Sequence, residues 1–260
     1  MNCFGLEFYQ EYQKYAAFPF FQERTLSLDG GSRSFSVLQF SAPPELLNNC
    51  FKIAREKSKF TMDEGQDSIC RTPEEKTRNQ FKGVLGEMAA QLFLLLRCGL
   101  PPEAVKRWDL ERETFASPLG EYDIRFETSR SAFLFEIRNS DSYRTTLSKF
   151  VSTMDVIGRY ESQKKKGEPE ADFYIRPVCQ FMQELSRASW RALSPEETYA
   201  RIKTDQLRTY LVAGATRGQM YGARGYIQSM GQQGTQYHCL KITDADDMEK
   251  FTGTVRALCV

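Results

Sequence analysis

The amino-acid sequence predicts an α/β protein with a central mixed β-sheet flanked by helices. Three observations support this class. A strongly capped helix begins after Thr72, the apolar residues change to a period of two after residue 122, and a helical pattern at 145–162 precedes a strand pattern at 172–181. Helices that alternate with strands pack on the faces of a sheet, and 260 residues are enough for a sizeable core.

The helix after Thr72 has the clearest local signals in the sequence. Thr72 is a good N-cap, Pro73 occupies the first helical position, and Glu75 completes a capping box. The helix continues through QFKGVLGEMAAQLFLLLRC, and Gly99 is a typical stop residue. A wide apolar stripe along this segment predicts that it packs against the core.

A hairpin of two short strands follows the helix. Residues 122–126 and 132–138 each alternate between apolar and polar side chains, and a turn is expected at 128–131. The alternation places Glu136 and Arg138 on one face of the second strand. A further strand is expected at 107–115.

The rest of the chain predicts flanking elements. In the strand at 172–181, Pro177 indicates an edge position or a bend. We expect an N-terminal strand and helix addition at 1–65, a core at 66–182, and a C-terminal helical and Gly-rich strand lobe at 183–260. The smaller elements expected in these additions are a strand at 35–40, a helix from Pro44 to about Lys59, a charged helical region at 183–206, strands near 207–213 and 236–242, and a helix from about Asp244.

Composition excludes several classes of protein. His238 is the only histidine, so sites that need two histidines are ruled out, and phosphate-loop, dinucleotide and GxSxG signatures are missing. The seven cysteines form no CxxC pair and are expected to be free thiols in a reducing cytoplasm. No segment is long and apolar enough for a membrane span, and no secretory signal is apparent. The net charge of +1 gives no support for or against nucleic-acid binding.

Any hydrolytic chemistry must therefore depend mainly on carboxylates and cations. Asp123 and Glu136 lie on the two strands of the hairpin, so their carboxylates can converge on one ion. Mg²⁺ prefers oxygen ligands, and it both activates water and neutralises charge on a phosphate. Arg138, two residues after Glu136, can hold the attacking water or the phosphate.

Glu87 is a third candidate on the long helix. By helical spacing it shares a face with small and polar residues, which are Gln80, Gly83, Ala90 and Gln91. These neighbours leave room for an ion or a backbone phosphate. A solvated helix residue is the alternative interpretation of Glu87.

Together, Asp123, the segment Glu136-Ile137-Arg138 and Glu87 resemble the motif of the PD-(D/E)XK, or restriction-endonuclease-like, nuclease superfamily. The resemblance covers residues 75–181 and includes the order of elements αβββαβ. It implies a restriction-endonuclease-like core in which Asp123, Glu136 and Glu87 are metal ligands. It further implies Mg²⁺-dependent endonucleolytic hydrolysis of DNA, with Mn²⁺ as another usable ion and double-stranded DNA as the partner. A role in restriction or phage defence and a homodimer are also implied.

The sequence departs from that motif at two positions. Tyr122 stands where the family name has Pro, which matters little. Arg138 stands where Lys is usual, and Arg cannot give up its proton near neutral pH. Two alternatives follow: a catalytically inactive nucleic-acid-binding protein on the same fold, and an assembly or scaffold protein in which the acids are only surface charge. In a purely structural interpretation, Asp123 begins a strand and Glu136 pairs with Arg125 or Arg138.

Further cations outside the motif are candidates for nucleic-acid contact. The basic run comprises Lys164, Lys165 and Lys166, and a Gly-rich stretch contains Arg217 and Arg224. A solvated helix end and a surface loop, respectively, are the alternative interpretations.

Overall fold

The fold joins a large mixed sheet, a small second sheet and helices on both faces of the large sheet. The computed structural model describes residues 14–15, 17–61, 71–112, 114–116, 122–161, 170–229 and 236–259. The predicted α/β class with a mixed central sheet flanked by helices is therefore confirmed. None of the helices in these ranges combines the length and apolarity that a membrane crossing requires.

The strands of the described residues form an eight-stranded sheet and a three-stranded sheet. In chain order they are β1 Phe21–Leu28, β2 Arg33–Phe40, β3 Val105–Arg107, β4 Ile124–Glu127, β5 Ala132–Ile137, β6 Ser140–Ser142, β7 Asp155–Glu161, β8 Phe173–Phe181, β9 Leu207–Thr216, β10 Tyr226–Ser229 and β11 Gln236–Lys241. The large sheet has the order β1-β2-β9-β8-β5-β4-β3, and β6 also pairs with β8. Strands β5 and β6 run parallel to β8, and the other pairs of the large sheet are antiparallel. The small sheet has the order β10-β11-β7.

Helices cover both faces of the large sheet. In chain order they are α1 Pro44–Ser58, α2 Pro73–Leu96, α3 Trp108–Glu111, α4 Leu147–Thr153, α5 Arg187–Ala192, α6 Pro195–Lys203, α7 Arg217–Met220 and α8 Met248–Cys259. Helices α1, α2 and α8 build the larger core with one face of the sheet. Helix α4 and the small sheet build a second core on the opposite face.

Helix α2 has the bounds that its capping residues predict. The Thr72 side chain accepts a hydrogen bond from the backbone N–H of Glu75, and the Glu75 side chain accepts one from Thr72. Gly99 follows the helix with a positive φ of 74°. The helix packs against α1 and against strands β3, β5, β8 and β9, so most of its surface is buried. Helix α2 is therefore the element about which the larger core is assembled.

The strand predicted at 107–115 is wrong in its bounds. Strand β3 ends at Arg107, which pairs with Ile124, the first residue of β4. Beyond this pair no part of β4 remains to extend the ladder. The backbone N–H of Trp108 donates to the carbonyl of Asp123 at 3.2 Å, and the chain turns into α3.

The single helix predicted over 145–162 is also wrong. Helix α4 ends at Thr153, and the following residues form β7, which pairs with β11. Gly158 lies in this strand, and a Cβ there would be 3.2 Å from Tyr174 and Met220. The helical spacing of apolar residues is overridden by pairing with a strand that lies about eighty residues further along the chain.

Pro177 lies in the interior of the sheet and not at its edge, because β8 stands between β9 and β5. The missing N–H is tolerated for two reasons. Pro177 falls between the residues of β8 that pair with β5 and those that pair with β6. The register with β9 also shifts between Arg176 and Pro177. The predicted bend is therefore present, but the edge position is not.

Strands from both ends of the chain complete the large sheet. The predicted strand at 35–40 is part of β2, the helix from Pro44 is α1, and the charged region at 183–206 forms α5 and α6. Strand β9 lies between β2 and β8. The five cysteines within the described ranges are free thiols, as expected: Cys50, Cys98, Cys179, Cys239 and Cys259.

Gly214 tests the packing between β9 and α8. A Cβ at this buried position would lie 2.3 Å from the ring of Phe251. We expect Gly214→Ala to lower the free energy of unfolding by about 1–3 kcal/mol through overpacking. Gly253→Ala is the control, since Gly253 is exposed in α8 and a methyl group added there would have no atom within 4 Å; it should raise stability by about 0.5–1 kcal/mol. Urea unfolding measures both, and equal effects would contradict the packing account.

Candidate active site

The open end of the β4–β5 hairpin brings Asp123 and Glu136 together. Ile124 pairs with Phe135 in the antiparallel register. One step further in the same register, Asp123 stands opposite Glu136, and directly opposed residues share a face of the sheet. The Oδ2 atom of Asp123 accepts a hydrogen bond of 2.6 Å from the backbone N–H of Ile137. The hairpin therefore fixes the two carboxylates next to each other.

Arg138 follows the last residue of β5 and pairs with Glu136. Its Nε atom lies 2.6 Å from Oε1 of Glu136, and the two side chains are 28% and 14% exposed. The backbone of Arg138 is held on both sides. Its N–H donates to the carbonyl of Ile175 at 3.3 Å, and its carbonyl accepts 2.6 Å from the buried guanidinium of Arg176. The cation that sequence reasoning assigned to the site is thus placed beside its carboxylate.

Asp123 is in an unfavourable environment for a charged carboxylate. Burial raises its pKa to about 8, and repulsion from Glu136 raises this pKa further against the opposing effects of Arg138 and the Ile137 N–H. Perturbed acids of this kind concentrate at functional sites, although structural networks produce them too.

Glu87 is buried in α2 and is bonded to a lysine. Its Oε1 atom lies 3.3 Å from Nζ of Lys57, which also contacts Asp109 at 2.6 Å. Burial raises the pKa of Glu87 to about 8 in spite of Lys57, and Asp109 and Asp123 add to the rise. Glu87 therefore belongs to the same electrostatic cluster as Asp123.

Asp109 and Lys57 remain a charged pair. Burial alone would raise the pKa of Asp109, but the charge and hydrogen bond of Lys57, together with Arg107, lower it below its usual value. Burial alone would lower the pKa of Lys57, but the attraction of Glu87 and Asp109 raises it. Lys57 thus carries a full positive charge between two carboxyl groups.

Sequence reasoning missed Lys57 and Asp109. Lys57 had a usable signal, because it continues the apolar stripe of α1, where Cys50, Ile53 and Ala54 are buried at helical spacing. A lysine on such a stripe requires a buried partner. Asp109 had no signal, since it lies in a helix of one turn whose position is set by the end of β3.

The carboxylates do not converge on one point. Within the ranges the structure describes, no three Asp, Glu, His or Cys side chains are grouped closely enough to hold a metal ion. The partners explain this arrangement: Lys57 holds Glu87, and Arg138 holds Glu136. The structure therefore brings Asp123 and Glu136 together and keeps Glu87 with Lys57.

A cleft of about 650 Å³ adjoins the site at Arg138. Its walls are the first half of α2, the connection from β5 to β6, and α5. The acidic residues of the lining are Glu75 and Asp141. The basic residues of the lining are Arg71, Arg78, Lys82, Arg138, Arg187 and Arg191. We call this feature the basic cleft.

Two of the other cations that sequence reasoning proposed, Arg217 and Arg224, do not line the basic cleft. Arg217 pairs with Glu170, and Arg224 lies 3.1 Å from Asp244. Lys164, Lys165 and Lys166 lie outside the described residues.

Comparisons of the chain with models of protein families, with curated proteins and with solved structures found no match. What the site does is therefore inferred from its own residues and their geometry.

Lys57 provides a test of the buried charge cluster. Lys57→Met leaves Glu87 and Asp109 without their cation, and we expect the free energy of unfolding to fall by about 2–3 kcal/mol. Lys59→Met is the matched control, because Lys59 pairs with Glu56 on the surface; its effect should stay within about 0.5 kcal/mol. Denaturant unfolding at neutral pH measures both. Similar small losses would show that Lys57 does not compensate the cluster.

Asp123 predicts a pH dependence of stability in EDTA. The pKa of Asp123 is about 8 in the folded protein, which is above its value in the unfolded chain. The free energy of unfolding therefore decreases as the pH rises from the unfolded pKa to the folded pKa. Asp123→Asn keeps an acceptor for the Ile137 N–H and removes the charge. The variant should gain at least about 1 kcal/mol relative to the wild type between pH 5 and pH 8.5, the equivalent of one pKa unit. A pH-independent difference would mean that Asp123 is not desolvated.

Proposed function

We propose that the protein is a Mg²⁺-dependent endonuclease that hydrolyses DNA phosphodiester bonds. The observation that carries this proposal is the cross-strand placement of Asp123 and Glu136 at the open end of a hairpin, with Arg138 beside them. A desolvated Asp123 that is repelled by the neighbouring Glu136, next to the cation of Arg138, favours a site for a divalent ion and a phosphate over a structural ion pair.

The order of elements supports the resemblance to the PD-(D/E)XK superfamily. Helix α2 precedes the antiparallel strands β3, β4 and β5, helix α4 follows, and β8 runs parallel to β5. The αβββαβ order that the resemblance implies is contained in this series, with the short helix α3 between β3 and β4 and with β6 and β7 as additional strands. Asp123 precedes the second strand of the three, and Glu136 lies on the third.

The donor set fits Mg²⁺ with two protein carboxylates. Mg²⁺ is commonly bound by one or two carboxylates and keeps several waters, so a cluster of three acids is not required. Asp123 and Glu136 would hold the ion, and its charge would relieve the repulsion that raises the pKa of Asp123. Glu87 remains a predicted third ligand whose carboxylate would have to leave Lys57. When bound, Mg²⁺ supplies positive charge and an activated water.

The residues of the chain contribute binding and orientation. Arg138 keeps its charge at all relevant pH values, so it can position a phosphate or a water but cannot transfer a proton. The Ile137 N–H holds one oxygen of Asp123 and leaves the other for an ion. Mn²⁺ fits the same oxygen ligands. A homodimer and a role in restriction or phage defence stay predictions from the resemblance.

A second function, an inactive nucleic-acid-binding protein, is favoured by one contact. The 2.6 Å pair between Arg138 and Glu136 occupies a carboxylate oxygen that an ion would need. A permanently charged arginine competes with a metal more strongly than a lysine that can lose its proton. A scaffold protein without a metal site is the third alternative.

Cleavage of supercoiled plasmid DNA in Mg²⁺, Mn²⁺ or EDTA tests these functions. Asp123→Asn and Glu136→Gln should each lower the Mg²⁺-dependent rate by a factor of at least about 10² while the fold persists. Glu127→Gln, at the opposite end of the same hairpin, is the control and should cleave like the wild type.

Thermal unfolding with Mg²⁺ separates the alternatives. Stabilisation by the ion without cleavage would favour the inactive binder. Neither stabilisation nor cleavage would favour the scaffold. Full cleavage by Asp123→Asn or Glu136→Gln would contradict the proposed site.

A further inference from the structure

We infer that the basic cleft binds one phosphodiester strand of a nucleic acid through its backbone phosphates. The proposal names the substrate strand of the nuclease and so rests on that proposed function, but binding can be measured without cleavage. Six basic and two acidic residues line the cleft, although the whole chain has a net charge of only +1. The positive charge is thus concentrated in the cleft, which includes Arg138.

Two of the basic residues build the wall of the cleft. The buried guanidinium of Arg78 donates to the carbonyls of Trp190 and Arg191 in the last turn of α5 and of Leu193, which follows the helix. The buried Lys82 pairs with Asp141, and the Trp190 indole N–H donates to the same carboxylate at 2.9 Å. These contacts join α2 to α5 and fix the shape of the cleft before any ligand binds.

Two other basic residues of the lining, Arg71 and Arg191, are partly exposed. In the part of the chain that the structure describes, their side chains form no hydrogen bond or ion pair with a protein group. Guanidinium groups of this kind bind phosphate oxygens in a bidentate manner. A strand that follows these arginines reaches Arg138, and with it the carboxylates of the candidate active site.

The aromatic residues of the cleft favour contact with phosphates over stacking of bases. Tyr143 and Trp190 stack on each other, with ring centroids 4.8 Å apart. Arg78 and Lys82 lie 5.1 Å and 5.4 Å from the Trp190 ring centroid, and Arg144 lies 5.3 Å from that of Tyr143. Because these rings already have partners, we expect binding that is independent of base sequence.

The volume of the cleft indicates one strand. About 650 Å³ lies within the range of pockets for small organic ligands, so we expect the cleft to take a short length of one strand. We therefore expect a single-stranded oligonucleotide to bind at least as tightly as a duplex of the same length.

The test is fluorescence anisotropy with a labelled single strand of about 12 nucleotides in EDTA, at several salt concentrations. The double variant Arg71→Gln/Arg191→Gln should bind about tenfold more weakly. The slope of log K against log salt should decrease by about 1.4, which is 0.7 for each lost phosphate contact. The control Arg55→Gln/Arg130→Gln removes the same charge from exposed positions outside the cleft and should bind like the wild type.

Four results would overturn the proposal: no binding by the wild type, equal weakening by both double variants, binding of a duplex but not of a single strand, or equally tight binding of polyglutamate. Failure of the proposed function is distinguishable. If the chain binds the strand through the cleft but never cleaves it, the binding proposal stands and the proposed nuclease function is wrong. If the chain cleaves DNA through Asp123 but the variant Arg71→Gln/Arg191→Gln binds normally, the proposed nuclease function stands and the binding proposal is wrong.

Discussion

The burial of charged side chains along helix α2 is the constraint on which the rest of the structure depends. Arg78, Lys82 and Glu87 are all nearly inaccessible to solvent, and a buried charge without a partner costs several kcal/mol. Each therefore has a partner from a distant segment: Arg78 has the carbonyls at the end of α5, Lys82 has Asp141, and Glu87 has Lys57 of α1. Through these pairs a single helix fixes both the basic cleft and one side of the carboxylate cluster.

The carboxylates are stabilised less completely than the cations. Glu87 and Asp123 both have a pKa of about 8, which means that their charged forms are unfavourable in the folded protein. A chain selected only for stability would replace such groups with apolar residues. An acid of this kind at the open end of the hairpin is consistent with the cation site proposed above.

The connection between β5 and β6 joins the two parts of the proposed substrate path. Arg138 both lines the basic cleft and pairs with Glu136. Its position is set by Arg176, which donates to the Arg138 carbonyl and to the Ser140 hydroxyl. The position of Arg138 therefore depends on a buried residue of β8.

The sequence by itself determined the elements whose signals are local: the capped helix α2, the alternating strands β4 and β5, and with them the pair Asp123 and Glu136. Only the tertiary structure decided that residues 155–161 form a strand, that Pro177 lies inside the sheet, and that Lys57 and Asp109 meet Glu87. The physical reason is sequence separation. Caps and periodicity act within one or two turns, whereas strand partners and buried ion pairs are chosen by segments that meet only after the chain has folded.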